Sequence, residues 1–158
     1  MPKQSAGLLM YRLRAGQPEF LLVHPGGPFW KRKDAGAWTI PKGEIGPEED
    51  PLAAAQREFE EELGLKATGP FLELTPIKQK GGKVVRAWAF EGDCDPATIK
   101  SNTFSLEWPP RSGRMEQFPE VDRAGFFGLA AAREKINPMQ AAFLEEVTSK
   151  LGGGAGSS

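Results

Sequence analysis

Four glutamates fall within five consecutive positions of this chain, Glu58, Glu60, Glu61 and Glu62, with Glu49 shortly before them and Arg57 as the one base in their company. On a helix, residues three and four apart share a face, so Glu58, Glu61 and Glu62 converge while Glu60 points elsewhere. Like charges at that spacing cost a few tenths of a kcal/mol per pair. The C-terminal end of a helix, where these residues would sit, also disfavours anions through the macrodipole. A cation against that face would reverse both penalties. Magnesium is typically held by one or two carboxylates, with phosphate oxygens and waters completing an octahedron, and such an ion activates water and offsets charge on a phosphoryl group in transfer. Spacing alone does not separate this arrangement from a solvated acidic helix face.

The elements that must hold these residues are legible nearby. Asp50-Pro51 pairs an N-capping side chain with a proline at the first helical position. Leu52 to Leu63 contains no Gly or Pro and places Leu52, Ala55, Phe59 and Leu63 at helical spacing, and Gly64 followed by Leu65 reads as a left-handed cap. Upstream, Ala6–Tyr11 and Glu19–Val23 read as two strands joined through the Gly- and Pro-bearing stretch Arg12–Pro18. A long irregular segment, His24–Ala37, then carries Lys31-Arg32-Lys33, and Trp38-Thr39-Ile40 reads as a short strand stopped by Pro41. Downstream, Phe71–Ile77, Val84–Phe90, Thr103–Trp108 and Phe126-Phe127 read as strands and Leu129–Ile136 as a helix. Asn137-Pro138 opens a last helix to about Leu151, with Met139, Phe143 and Val147 on one face. Residues 1–151 are thus expected to form a single α/β (α+β) domain, and 152–158, GGGAGSS, a flexible tail.

Composition narrows the function classes. The chain has 158 residues, 39% hydrophobic and 26% charged, which is ordinary for one globular domain and unlike a disordered chain. Lys+Arg 20 against Asp+Glu 21 argues against stable DNA binding, which calls for a strongly basic domain. One Cys, Cys94, and one His, His24, leave no intrachain disulfide and no classical structural zinc site, and His24 reads as structural. No apolar run is long enough for a membrane span or a signal peptide, so the expected location is cytoplasmic with no membrane partner. The near-neutral total conceals a division, because Gly43–Leu65 holds eight acids and one base while the rest of the chain is net basic.

Written in full, Gly43, five residues, Glu49, seven residues and then Arg57-Glu58-Phe59-Glu60-Glu61-Glu62-Leu63-Gly64-Leu65 resembles the signature of the Nudix hydrolases, G-x5-E-x7-R-E-U-x-E-E-x-G-U with U apolar. All nine constrained positions are filled. The resemblance implies the Nudix fold, a mixed sheet between helices, and cleavage of a pyrophosphate bond in a nucleoside diphosphate linked to another moiety, with Mg2+ or Mn2+. It implies that Glu58 and Glu62 are principal metal ligands and that Glu61 is a further ligand or the base acting on the attacking water. Arg57 and Glu49 would form a bracing ion pair, and Gly43 and Gly64 would supply backbone freedom. Phe118-Pro119-Glu120-Val121-Asp122-Arg123-Ala124-Gly125-Phe126-Phe127 looks like the late loop of members similar to diadenosine tetraphosphate hydrolases. That likeness places Glu120 as an additional metal-binding or catalytic residue, although Phe126 stands where Trp is frequent. Trp38-x-x-Pro41-Lys42-Gly43 is shared by members acting on dinucleoside polyphosphates and diphosphoinositol polyphosphates, so Lys42 is expected to meet a phosphate.

Dinucleoside polyphosphates are the favoured expectation. ADP-ribose, oxidised nucleoside triphosphates, diphosphoinositol polyphosphates and capped RNA ends remain alternatives, as does a non-catalytic nucleotide-binding module of the same fold. The protein is expected to be a monomer or homodimer. Lys31-Arg32-Lys33 offers charge for a polyanion or a solvated turn, and Trp30, Trp88, Trp108 and Phe104 are either base-stacking or core residues.

Overall fold

Strands β1 (Gln4–Arg14) and β2 (Gln17–Pro25) form an antiparallel hairpin, closed by Ala15 (φ 53°) and Gly16 (φ 77°) in a computed structural model that describes residues 3–156. Left-handed backbone at both turn positions matches the right-handed twist of the flanking strands. The strands therefore run further into the expected loop, and Arg12 pairs across to Glu19 with Nε 2.8 Å from the carboxylate. β3 (Lys42–Glu44) pairs antiparallel with the start of β1, and β6 (Val84–Glu91) runs parallel along its other side. The mixed sheet is completed by β9 (Val121–Gly128) on β2 and by β4 (Leu72–Glu73) and β5 (Ile77–Lys78) on β6.

Each face of this sheet is covered by helix. Leu8, Met10, Leu21, Val23, Trp88 and Phe90 pack with Ala54, Ala55, Phe59 and Leu63 of α1 (Pro51–Leu63). Leu9, Phe20, Leu22, Trp38 and Ile40 pack with Ala132 of α2 (Leu129–Lys135) and with Phe143, Leu144 and Val147 of α3 (Ala141–Gly156). Successive side chains of a strand point to opposite faces, so neighbours such as Leu8 and Leu9 serve different cores. This explains why β1 and β2 are near-continuous apolar runs rather than alternating ones.

Several expectations are corrected. Trp38-Thr39-Ile40 is not a strand: it makes only isolated bridges, Thr39 to Val23 and Trp38 to Ile136, and the strand begins after Pro41. The expected strand Phe71–Ile77 is two short pieces on either side of Pro76, which has no N–H to give to a ladder. β9 is much longer than Phe126-Phe127. The strand at Thr103 ends at Glu107, as β7 (Thr103–Glu107), and pairs with β8 (Met115–Pro119) in a separate two-stranded sheet. β8 is not expected from the sequence, because its side chains are mostly exposed and leave little hydrophobic pattern. Asn137 caps a 3-10 turn, Pro138–Gln140, before α3, which turns Met139 out to solvent and Gln140 into the core. α3 continues beyond Leu151 to Gly156, because extending an established helix by a residue costs far less than starting one. The expected flexible tail thus begins inside that helix, and its last residues, 157 and 158, lie outside the described residues. Among the described residues no helix is long and apolar enough to cross a membrane.

Candidate active site

α1 begins with the Asp50 carboxylate accepting from the Ala53 N–H at 3.0 Å and ends at Gly64 in the left-handed region (φ 72°), whose N–H donates to the Glu60 carbonyl at 2.7 Å. Its buried face comprises Ala54, Ala55, Glu58, Phe59, Glu62 and Leu63. Two carboxylates one turn apart therefore face inward, Glu58 only 8% and Glu62 only 6% exposed. Acids are rarely buried to that degree without a partner.

Segments distant in sequence close the site. Past α1, the Lys100 N–H donates to the Leu63 carbonyl at 3.0 Å and the Asn102 N–H to the Glu61 carbonyl at 2.8 Å, satisfying carbonyls that the helix end leaves open. The Asn102 carbonyl in turn accepts from the Glu120 N–H at 2.8 Å, and the Glu120 carbonyl accepts from the Gly26 N–H at 3.0 Å. Glu120 is thereby pinned at the junction of β8 and β9, over the end of α1. Ligand oxygens of Glu58, Glu62 and Glu120 all lie within 4.8 Å of one another. Across from them Gly43 approaches so closely that a Cβ there would fall on the Glu58 carboxylate.

Repulsion among these acids is visible in their proton affinities. Burial, then the charges of Glu58 and Glu120, push Glu62 up to about 9. Glu58 is also raised, chiefly by burial, against the opposing pull of Arg57. Glu120 is raised by burial and by Glu58 and Glu61. Lys42 sits close enough for Glu62 and Glu58 to favour its charge, but burial outweighs them and lowers its pKa. A buried group of carboxylates that repel one another, one of them holding its proton into the alkaline range, has the donor chemistry for a hard divalent cation. Glu58, Glu62 and Glu120 are the residues that fit it.

Arg57 organises the flank. Its Nε and Nη2 reach the two oxygens of Glu49 at 2.8 and 3.0 Å, a bidentate pair, and Nη1 reaches Glu58 at 2.8 Å and Glu61 at 3.2 Å. Glu49 also accepts from the Gly46 N–H at 2.8 Å, and together with Arg57 this holds its carboxyl down at about 2. Among the described residues, then, the close triple joins Glu120 to Glu58 and Glu62, while Glu61 stands at the rim, bound to Arg57 one turn back. On the helix Glu61 and Glu62 lie on opposite sides of Glu58, and only the Glu62 side turns toward the sheet.

Other residues singled out in the sequence take different places. The His24 ring is fully buried, 2.8 Å from Asp122 through Nδ1 and 2.6 Å from the Lys33 carbonyl through Nε2, tying the long loop to β9. Trp88 belongs to the core. Trp30 is 39% exposed on the long loop, with the Lys33 ammonium 5.1 Å from its ring centroid. Phe29, not among the residues expected from the sequence, is 60% exposed and packs edge-on against Trp108 at 5.4 Å. Its only sequence signal is its position beside Trp30 in a long loop.

Residues 1–147 match the family model described as the NUDIX domain. A bis(5'-nucleosyl)-tetraphosphatase [asymmetrical] of Caenorhabditis elegans is 42% identical over 65 residues, a match covering 41% of this chain and 43% of that protein. A crystal structure of a C. elegans Ap4A hydrolase binary complex superposes with a TM-score of 0.66 at 25% identity, covering 94% of this chain and 98% of that one. The NUDIX domain of Shewanella oneidensis NrtR, solved with ADP ribose, also reaches 0.66, at 13% identity over 96% of this chain and 89% of that chain, a likeness of fold alone.

Proposed function

Since the chain belongs to the NUDIX family, we propose that it is a metal-dependent pyrophosphohydrolase cleaving a nucleoside diphosphate linked to another moiety, with dinucleoside polyphosphates as the favoured substrates. The triple of Glu58, Glu62 and Glu120 carries this reading, because Arg57 reaches only Glu58 of the three and, among the described residues, no cationic side chain pairs with Glu62 or Glu120 within 4.0 Å. In it they hold Mg2+ or Mn2+. When bound, such an ion supplies positive charge to phosphate oxygens and lowers the pKa of water.

The chain's own residues do the rest. Lys42 brings positive charge beside the carboxylates, where a phosphate of the substrate would meet it. Glu61, at the rim and held by Arg57, is the base that takes the proton of the attacking water. The water oxygen bonds to phosphorus, the bridging P–O bond breaks, and the leaving phosphate departs with that bond's electron pair. The Arg57–Glu49 clasp fixes the loop before α1 and with it the aim of Glu58 and Glu61, as partners behind metal ligands commonly do. The 42% identity with the tetraphosphatase over part of its length favours dinucleoside polyphosphates over the alternatives.

A magnesium-dependent hydrolysis panel tests the proposal: diadenosine tetraphosphate, ADP-ribose, nucleoside triphosphates and diphosphoinositol polyphosphates, with products identified. Cleavage of diadenosine tetraphosphate with the highest kcat/KM is expected. Absence of turnover on every substrate with either Mg2+ or Mn2+ would overturn it.

A further inference from the structure

Beyond the carboxylates, the molecule carries a second group of aromatic rings that belongs to neither side of the main core. Phe29, Trp30, Phe104, Trp108 and Phe118 are absent from both clusters that sandwich the sheet. They come from the loop after β2 and from the β7–β8 hairpin. Phe104 faces Phe118 across that hairpin, ring centroids 6.0 Å apart, and Phe29 stands edge-on to Trp108 at 5.4 Å.

Two glycines seat the loop on the hairpin. A side chain on Gly26 would collide with the Pro119 carbonyl, and one on Gly27, which sits at φ 98°, would come within 3.0 Å of the Phe104 ring. The loop and the hairpin meet beside the carboxylate site, since the Gly26 N–H donates to the backbone carbonyl of Glu120 and Phe118 is two residues before Glu120. Lys31, Arg32 and Lys33 follow Trp30 in the same loop, Lys33 with its ammonium 5.1 Å from that ring, and Arg111 and Arg114 lie in the turn after Trp108; among the described residues none of these five is engaged in an ion pair within 4.0 Å. Scattered exposed apolar residues are ordinary, but paired rings from two segments, flanked in sequence by cations outside any ion pair and close to a carboxylate site, suit one kind of ligand. That ligand has a flat π-face and an anionic chain.

We propose that Phe29 and Trp108, with Trp30 and Phe104 beside them, form the stacking site for the nucleobase of the substrate, its phosphate chain passing the free lysines and arginines toward Glu120. This assignment rests on the hydrolase reading above, and it makes the long loop and the β7–β8 hairpin the specificity-determining elements.

The test compares Phe29→Ala, Trp108→Ala and Trp108→Phe with wild type. Binding of adenosine 5'-(β,γ-methylene)triphosphate and of base-free tripolyphosphate is measured in magnesium, alongside kcat and KM for diadenosine tetraphosphate. Each alanine is expected to weaken the nucleotide analogue about 5- to 100-fold, the range for losing one base–aromatic stack, and to raise KM more than it lowers kcat. Tripolyphosphate binding stays unchanged, and Trp108→Phe restores much of the analogue's affinity. Phe29 is 60% exposed, so its removal leaves the core intact. Unchanged analogue affinity, or equal losses for analogue and tripolyphosphate, would overturn the stacking site and leave the patch as a surface for another protein or a second copy. Wild type that cleaves nothing in the panel but binds the analogue through these rings would defeat the hydrolase reading and keep the stacking site.

Discussion

Replacing Glu62 with glutamine is expected to move activity and stability in opposite directions. Glu62 is 6% exposed, and its carboxyl titrates near 9 in the metal-free protein against an ordinary value of 4.5. Between those values the folded chain binds more protons than the unfolded one, so stability falls as pH rises through that window. The penalty is absent below about 4.5 and complete above about 9. At pH 7 it spans about 2.5 pKa units at about 1.36 kcal/mol each, or at most about 3.4 kcal/mol. Glutamine keeps the shape and cannot ionise. Metal-free Glu62→Gln should therefore melt higher than wild type at pH 7, by up to about 7–14 °C, with the gap closing toward pH 5. Added magnesium should raise the melting temperature of wild type and raise that of the variant far less, since binding stabilises only what it binds. Turnover should fall by orders of magnitude. Thermal denaturation in a chelating buffer across about pH 5 to 9, repeated with magnesium and paired with initial rates, gives every quantity. A variant that keeps wild-type turnover, or whose metal-free form melts below wild type throughout, refutes the reasoning.

Further perturbations test the parts around that residue. Gly43→Ala puts a methyl group onto the Glu58 carboxylate, so magnesium affinity by titration calorimetry should drop at least about tenfold with near-native far-UV circular dichroism. Arg57→Lys loses the bidentate grip on Glu49 and the simultaneous reach to Glu58 and Glu61; kcat should fall about 10- to 100-fold, and the lysine should not substitute despite its charge. Glu49, held at about 2, contributes stability that is fully present above about 4.5 and lost as pH falls through its folded value. An acid titration should thus show wild type more stable than Glu49→Gln at neutral pH and the two converging toward pH 2.

What the sequence conveyed of this site follows the range of the interactions involved. Asp50, Pro51 and Gly64 act within a turn of themselves, so both ends of α1 could be read directly, and the spacing of Leu52, Ala55, Phe59 and Leu63 identified its buried side. The choice between Glu61 and Glu62 as the inward carboxylate depends on a rotation of the helix that spacing does not resolve; it is set by packing of Phe59 and Leu63 against β1 and β6, with Arg57 retaining Glu61 outside. Glu120 reaches the site through backbone bonds to Asn102 and Gly26, which no local pattern announces, and family resemblance supplied its position. The hairpin that leads to it was half hidden, because alternation along β8 is nearly all polar. Phe29 was invisible for a related reason, its partner Trp108 being brought up by the fold from far along the chain.

The end of α1 is built against its own stability. Its last turn holds no basic residue, and its acids face both a macrodipole of the wrong sign and one another. The fold offsets part of this. Arg57 pairs with Glu49, Glu58 and Glu61 and offsets part of their charge, and the backbone N–H groups of Lys100 and Asn102 satisfy the open carbonyls. Lys42 adds a half-buried cation beside them, and its burial lowers its pKa. What these devices leave uncompensated is concentrated on Glu62, which has no ion pair with Arg57 and is shielded from water. Either account predicts a stability gain for metal-free Glu62→Gln, but only a metal site also predicts that the variant loses turnover and most of the stabilisation by magnesium, so those two responses separate a metal site from a merely structural acidic helix.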